Sequence, residues 1–396
     1  MKHNALYIQS GGPTSVINAS AYGVIQGCKE NDHVIGRLYS AKHGIIGLIN
    51  KNLIDVYEID KQQIELLPKT PGMIFGSCRY YLKDAKEDDS DHRKILSVLQ
   101  KYDIRYIFIN GGNGTVKLAE HLKAYLDAKS YQCNIIVIPK TVDNDISHID
   151  HTPGFPSAAR HVAISISELS YELSTYDTGL IMTVEVMGRH TGFLAAASLL
   201  ALKTGNCPDL IYVPEVVFSP EKFISDVEKV FNRKKKCMAV IAEGVRTQDS
   251  RYLFEFYDER KAQNPEMNMG GISPYVYNLL KEHFKCKIRC IDLGLMQRCS
   301  SYTTSKLDLE EALLMGKFAV KAAVDGESGK MVSIVRLSNK PYKTKLQLVP
   351  IEDVVKEEAR LPLHYLNAEK NHINAEYLDY IEPLVGPLPT YERINL

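Results

Sequence analysis

Apolar residues along this chain come in short blocks, each closed by glycine or by charge. Residues 5–9, Ala-Leu-Tyr-Ile-Gln, read as a buried strand. Gly11-Gly12 follow, and residues 18–27 then show helical apolar spacing. The order repeats at residues 106–110, Gly111-Gly112-Asn113-Gly114-Thr115 and a helix over 116–126. A third apolar block, residues 135–138, runs into Pro139-Lys140-Thr141-Val142-Asp143-Asn144-Asp145. Strand, glycine turn and helix in repetition predict a doubly wound parallel sheet. The second third of the chain has apolar strands at 180–186, 210–213 and 238–242. They end in Met187-Gly188-Arg189-His190, Pro214-Glu215 and Glu243-Gly244. Helices are expected over 157–171, 220–233 and 309–323.

The expected fold class is therefore α/β, with two doubly wound, Rossmann-like domains built on mostly parallel sheets. Ligands are expected in the cleft between them, at the strand ends. The larger domain is expected to take residues 1–153 plus about 300–345, and the smaller residues 154–299. Residues 346–396 are proline-punctuated and charged, and read as a C-terminal tail or extension.

Charge narrows the partners. Lysine plus arginine equals aspartate plus glutamate at 48 each, which argues against nucleic acid or an anionic membrane as a bulk partner. No apolar run approaches a membrane span, and the chain enters a strand directly with no signal-peptide pattern. The eight cysteines are scattered, and Cys286, Cys290 and Cys299 fit no standard zinc spacing. The expectation is a cytoplasmic protein with reduced thiols.

The chemistry concentrates after the third strand. Asp143, Asp145 and Lys140 stand just past a strand's carboxyl end, where open α/β sheets bind ligands. A solvated acidic turn would look the same in isolation, so the neighbouring motifs decide. Gly11-Gly12 is a candidate phosphate cradle, because glycine lets backbone N–H groups approach an anion beside a helix N-terminus. Such turns are common, and neither GxxxxGK[ST] nor GxGxxG occurs here. Residues 111–115 form a second such turn. Two glycine turns beside an Asp-x-Asp sequence make a site for polyphosphate and a metal ion, and magnesium suits carboxylate plus phosphate oxygens. Arg79, Arg189, Arg246, Arg289 and Arg298 could supply guanidinium forks to phosphate. Singly each reads as a surface arginine; together with the turns they indicate phosphate handling. His151, His161 and His190 are read as polar or structural groups.

These motifs, ordered along nearly the whole chain, resemble the phosphofructokinase family. The resemblance runs through Gly11-Gly12 with Asn18, Phe75-Gly76-Ser77-Cys78-Arg79, residues 111–115 and 139–145, Val184-Glu185-Val186-Met187-Gly188-Arg189, Pro214-Glu215, Glu243-Gly244 and Gln297-Arg298. Lys140 and His151-Thr152-Pro153-Gly154-Phe155 are most similar to the branch that contains pyrophosphate-dependent enzymes. The resemblance implies phosphoryl transfer to fructose 6-phosphate with Mg2+ as cofactor. It makes Asp143 the general base toward the sugar's C1 hydroxyl, oriented by Asp145, with Thr141 beside the substrate. Gly11, Gly12, Gly112, Asn113, Gly114 and Thr115 would bind the donor, Arg79 and Lys140 would stabilise the transferring phosphoryl group, and Asn113 and Asp143 would meet the metal. Met187, Gly188, Arg189, Glu243 and Arg298 would hold the sugar phosphate. Arg289 corresponds to a residue that serves a neighbouring subunit in relatives, which implies a homodimer or homotetramer. The larger domain would bind the donor and the smaller one the sugar phosphate.

Four departures from the family pattern matter. Asn113 stands where many members carry a magnesium-binding aspartate, and keeps an oxygen while losing the charge. Gly114 stands where pyrophosphate enzymes carry an aspartate that excludes the α-phosphate of a nucleotide. Leu180 replaces an arginine of many bacterial ATP-dependent members. Leu295 replaces a histidine or tyrosine that contacts the sugar phosphate, a loss of about 1–2 kcal/mol of binding. Gly114 points to ATP as donor, whereas Lys140 and the branch as a whole point to pyrophosphate; ATP is the expectation and pyrophosphate the alternative. A regulatory, catalytically impaired paralogue, a sugar-phosphate or nucleotide binding module, and a kinase of sedoheptulose 7-phosphate are the other readings.

Overall fold

The alternation of apolar blocks and glycine turns is realised as two sheets in two compact units. The computed structural model describes residues 2–204, 208–258 and 270–391. The first part of the chain carries strands β1 (His3–Gln9), β2 (Ile35–Ala41), β3 (Leu53–Asp55), β4 (Ile104–Gly111) and β5 (Asn134–Pro139). Helices α1 (Ile17–Glu30) and α2 (Asn113–Ala128) follow β1 and β4. Next come α3 (Phe155–Thr175), β6 (Leu180–Val186), β7 (Leu210–Tyr212), α4 (Pro220–Lys234), β8 (Lys236–Ala242), α5 (Ser273–His283) and β9 (Lys287–Asp292). Helix α6 (Lys306–Val324), β10 (Lys330–Asn339), β11 (Tyr342–Pro350) and α7 (Glu376–Val385) complete the elements used below.

The first unit comprises Met1–Gly154 and Lys306–Ala359. Its sheet has the order β11-β10-β5-β4-β1-β2-β3. The middle strands β10, β5, β4, β1 and β2 pair in parallel, and antiparallel partners close both edges. The central strands are apolar on both faces, as a sheet covered on both sides requires. Leu6, Ile8, Ile107, Ile109, Ile135 and Val137 pack with Val116, Leu118 and Leu122 of α2. Tyr7, Phe108, Ile136 and Ile138 belong to the opposite layer, with Val24 of α1 and Met315 and Ala319 of α6. Helices α1 and α6 approach through glycine: a Cβ on Gly23 would lie 2.1 Å from Leu313 O, and one on Gly316 would lie 2.2 Å from Ser20 O.

The second unit comprises Phe155–Ser305 and Arg360–Leu396. Its sheet has the order β7-β8-β6-β9, and every pairing is parallel. Buried Ile181, Met182, Val184, Met238 and Val240 make the β6–β8 centre apolar. Ser219 caps α4 by accepting the Lys222 amide at 3.1 Å.

The C-terminal stretch differs from the tail expected for 346–396. Residues up to Pro350 complete β11, whose half-buried and exposed positions alternate, and the chain stays with the first unit to Ala359. The rest joins the second unit, where Asn371 O accepts the Ile211 amide at 2.8 Å. Tyr377, fully buried on α7, donates its hydroxyl to Phe193 O at 3.0 Å. Proline suggested a tail, but Pro383 sits inside α7. Among the described residues, the cysteines are free thiols and no helix is long and apolar enough to cross a membrane; Cys207 lies outside them.

Candidate active site

Strand register sets the site in the first unit. Gln9 of β1 pairs with Asn110 of β4, and Gly111 of β4 pairs with Pro139 of β5. The three turns singled out in the sequence therefore leave adjacent strands side by side, at their carboxyl ends. Gly112 caps α2, so Asn113, Gly114 and Thr115 form its first turn, with the positive partial charge of a helix N-terminus, while the Thr115 amide turns back to Gly112 O at 2.8 Å. Gly111 must lack a side chain, since a Cβ would lie 2.1 Å from Thr115 Oγ1. Gly114 differs: it is exposed, and a Cβ there meets nothing within 4 Å.

Lys140 is buried, and its Nζ donates to Gly12 O at 2.6 Å. Gly11 adopts φ +79°, a left-handed conformation that favours glycine, and a Cβ on it would stand 3.4 Å from that Nζ. The segment bearing Arg79 is tied to the same turn. Ser77 Oγ donates to Gly11 O at 2.7 Å, and the Gly11 amide approaches Cys78 O at 3.5 Å. Arg79 itself is exposed. The structure thus brings Gly11, Gly12, Arg79, Lys140 and the α2 N-terminus into one basic, amide-rich neighbourhood.

The loop after β5 is held on two sides. Asn144 is buried in the left-handed region at φ +59°, a conformation asparagine tolerates. Its Oδ1 accepts the Thr152 amide at 2.9 Å, while Thr152 Oγ1 donates to Thr141 O at 2.9 Å. The Asp143 amide donates to Thr141 Oγ1 at 3.2 Å. On the far side, Ile146 bridges Glu358, and Asp145 O accepts the Ala359 amide at 2.9 Å.

The Asp145 carboxyl is perturbed by its surroundings. Burial, and then the Glu358 charge, push its pKa up; hydrogen bonds from Asn113 and Thr141 act against them. Asn113 Nδ2 donates to Asp145 Oδ2 at 2.9 Å and to Asp145 O at 3.1 Å. A carboxyl group, that of Asp145, therefore stands beside position 113. Asp145 Oδ1 is buried without a hydrogen-bond partner. Among the described residues no group of three or more His, Cys, Asp or Glu is arranged to hold a metal by itself. A hard cation held by one or two carboxylates plus donor phosphate oxygens fits this set.

The expected sugar-phosphate residues form a second strand-end cluster, in the other unit. The Glu243 amide donates to Val186 O at 2.8 Å and the Gly244 amide to Gly188 O at 3.1 Å, which joins the ends of β6 and β8. Gly188 has φ +136°. Gln297 Oε1 accepts the Met187 amide at 2.9 Å and so brings the short helix bearing Arg298 to the same strand end. Glu185 lies just below. Its carboxylate accepts the Gly271 amide at 2.6 Å, and the Ser273 amide at 3.1 Å and hydroxyl at 3.0 Å. Burial and the Asp292 charge push the Glu185 pKa up, against those hydrogen bonds. Glu185 and Gln297 both stand in motifs that carry the family resemblance, without a role assigned to either; nothing local marks Glu358.

Two positions sit apart from these clusters, and a third, Leu295, adjoins the second through its carbonyl, which accepts the Arg298 amide at 3.2 Å. Arg289 is exposed on edge strand β9 and pairs with Met182, midway along β6. Leu180 is buried at the opposite end of β6. Leu295 is 61% exposed. Glu215 serves the fold, accepting the Gly192 amide at 3.0 Å and the Leu361 amide at 2.8 Å.

The family model for Phosphofructokinase matches residues 4–323. A pyrophosphate–fructose 6-phosphate 1-phosphotransferase of Halomonas elongata is 34% identical, over 97% of this chain and 92% of that protein. A sulfofructose kinase of Alkalicoccus urumqiensis is 32% identical, over 96% of this chain and 95% of that protein. The crystal structure of a pyrophosphate-dependent phosphofructokinase from Marinobacter aquaeolei aligns with a TM-score of 0.87 at 32% identity, covering 100% of this chain and 94% of the other.

Proposed function

The chain belongs to the phosphofructokinase family, and from that premise we propose that it transfers a phosphoryl group to the C1 hydroxyl of fructose 6-phosphate, giving fructose 1,6-bisphosphate. One observation carries the reading: the adjacent ends of β1, β4 and β5 place two glycine turns, a buried lysine and the Asp143 loop together. The first unit binds the donor and the second the sugar phosphate.

Asp143 accepts the C1 hydroxyl proton as the oxygen attacks the donor's terminal phosphorus. The bond from that phosphorus to the bridging oxygen breaks, and the shortened phosphate leaves. Amides of the Gly11-Gly12 turn and of the α2 N-terminus hold the phosphate oxygens. Lys140 and Arg79 offset the charge that spreads over the transferring group. Magnesium, when bound, neutralises donor phosphate charge, and Asp143, Asp145 and the Asn113 carbonyl are the protein oxygens suited to hold it. In the second unit, Met187, Gly188, Arg189, Glu243 and Arg298 hold the sugar phosphate. Arg289 serves a neighbouring copy, in a homodimer or homotetramer, and the enzyme works in the cytoplasm.

ATP is the donor in this reading. Gly114 leaves open space at the first turn of α2, and no charge there repels an α-phosphate. Pyrophosphate is the second reading, favoured by Lys140 and by relatives named for it. Initial rates with MgATP and with magnesium pyrophosphate test the two, using fructose 6-phosphate, sedoheptulose 7-phosphate and sulfofructose as acceptors. Fructose 6-phosphate with ATP is expected to give the highest kcat/KM. Turnover with pyrophosphate alone overturns the donor assignment, a higher kcat/KM for another acceptor overturns the substrate, and no turnover with either donor favours a regulatory paralogue.

A further inference from the structure

His151 belongs to the strap that fastens the Asp143 loop. It is 1% exposed, and both of its ring nitrogens face carboxylates. Nδ1 lies 2.8 Å from Asp150 Oδ2, and Nε2 lies 2.7 Å from Glu311 Oε2 on α6. A neutral imidazole has one proton and would turn a lone pair toward one of these oxygens. The surroundings complete a balanced set. Arg336 of β10 grips Asp150, with NH2 2.8 Å from Oδ2 and Nε 3.1 Å from Oδ1. Tyr342 and Thr344 of β11 donate to Glu311 Oε1 at 2.9 and 3.2 Å. Two cations, His151 and Arg336, thus face two anions, Asp150 and Glu311.

The next residues connect this cluster to the chemistry. Thr152 holds both Asn144 and Thr141, the residues that flank the Asp143 turn. The Gly154 amide donates to Asp308 Oδ1 of α6 at 2.9 Å. Gly154 also lies against the first glycine turn, since a Cβ on it would stand 2.5 Å from Thr14 Cγ2. One strap therefore touches both halves of the first-unit site.

We infer that His151, held as an imidazolium between Asp150 and Glu311, is a positioning residue that locks the strap 150–154 and through Thr152 sets the Asp143 loop for phosphoryl transfer. The inference rests on the phosphofructokinase reading for its kinetic consequence, but not for its structural one. Burial alone would push the His151 pKa down; the hydrogen bonds and charges of Asp150 and Glu311 instead carry it up to about 9. A raised folded-state value means that this anchoring is complete below the ordinary histidine range and is lost as pH rises through about 9. Both carboxylates then face an imidazole with a single proton.

Glu311→Gln tests this, because it removes one of the two carboxylate charges that keep the proton on His151 and retains an oxygen for Tyr342 and Thr344. In the unmodified protein, hydrogen-exchange protection of the amides of residues 143–145, 152 and 154 is expected to fall as pH passes through about 9. The alkaline limb of kcat is expected to fall with it, while KM for fructose 6-phosphate holds. In Glu311→Gln both limbs should move to lower pH by about one unit or more. His151→Gln, which cannot donate to both carboxylates, should lower kcat by about 10²-fold at neutral pH. Protection that stays flat through pH 10 in the unmodified protein, or limbs unmoved in Glu311→Gln, overturns the inference. Absence of turnover in the unmodified protein defeats the function instead, and the exchange measurement still decides the anchoring.

Discussion

At residue scale, the proposed donor site turns on glycines of two kinds. Gly11 and Gly111 are required by the backbone and by close packing. Gly114 is required by neither, so its absent side chain is free to serve selectivity. Gly114→Asp should fold normally, and an acid in the first helical turn is even favourable. It should lower kcat/KM with ATP by about 10²-fold or more, because a carboxylate facing an α-phosphate costs several kcal/mol, and should raise relative use of pyrophosphate. Side-by-side donor titrations check this, and an unchanged ratio means that position 114 does not choose the donor. The Asn113–Asp145 pair belongs to the same scale. Sequence alone indicates the loss of charge at 113, but not that the Asp145 carboxyl lies 2.9 Å from the Asn113 amide. That contact joins residues 32 positions apart, and it depends on the register of β4 with β5.

At element scale, the legible parts are those with strong local signals. The strands β1, β4, β5, β6, β7 and β8 are near-continuous apolar runs, and their strand-end motifs stand where the sequence places them. Five strands escaped: β2, β3, β9, β10 and β11. β9 and β11 are edge strands whose polar positions break the apolar run, and β10 precedes β11 in a hairpin without a glycine turn signal. Arg289 stands on one of these strands, β9. Once β9 is seen, the residue lies in mid-edge and not at a strand end. Helix crossing is also invisible locally, because Gly23 and Gly316 look like weak helix residues until α1 and α6 meet. Gly23→Ala should destabilise the first unit by about 1–3 kcal/mol through overpacking. Thermal unfolding should report it, with KM for fructose 6-phosphate unchanged. A variant as stable as the parent would show that the helices can part without cost.

At the scale of the whole molecule, the chain leaves the first unit after Gly154 and returns to it at Lys306. The segment after Ala359 completes the second unit, although its composition suggests a tail. Removing residues 360–396 deletes Leu361, Tyr377, Ile381 and Leu384, all of them buried. It also strips one of the amides from the Glu215 carboxylate. Each large buried side chain is worth about 2–5 kcal/mol on truncation, against a total stability of roughly 5–15 kcal/mol. The shortened chain should therefore be cut rapidly by protease within residues 155–305, while the first unit resists. Equal resistance in both would show that the C-terminal segment is dispensable.

Under the proposed function the β5 loop is the catalytic centre and Asp143 its base. The most direct measurement is the rate of fructose 1,6-bisphosphate formation from MgATP and fructose 6-phosphate in the unmodified protein and in Asp143→Ser. Loss of the base should lower kcat by about 10²–10⁴-fold while the variant still binds fructose 6-phosphate. Full turnover in Asp143→Ser would contradict the assignment.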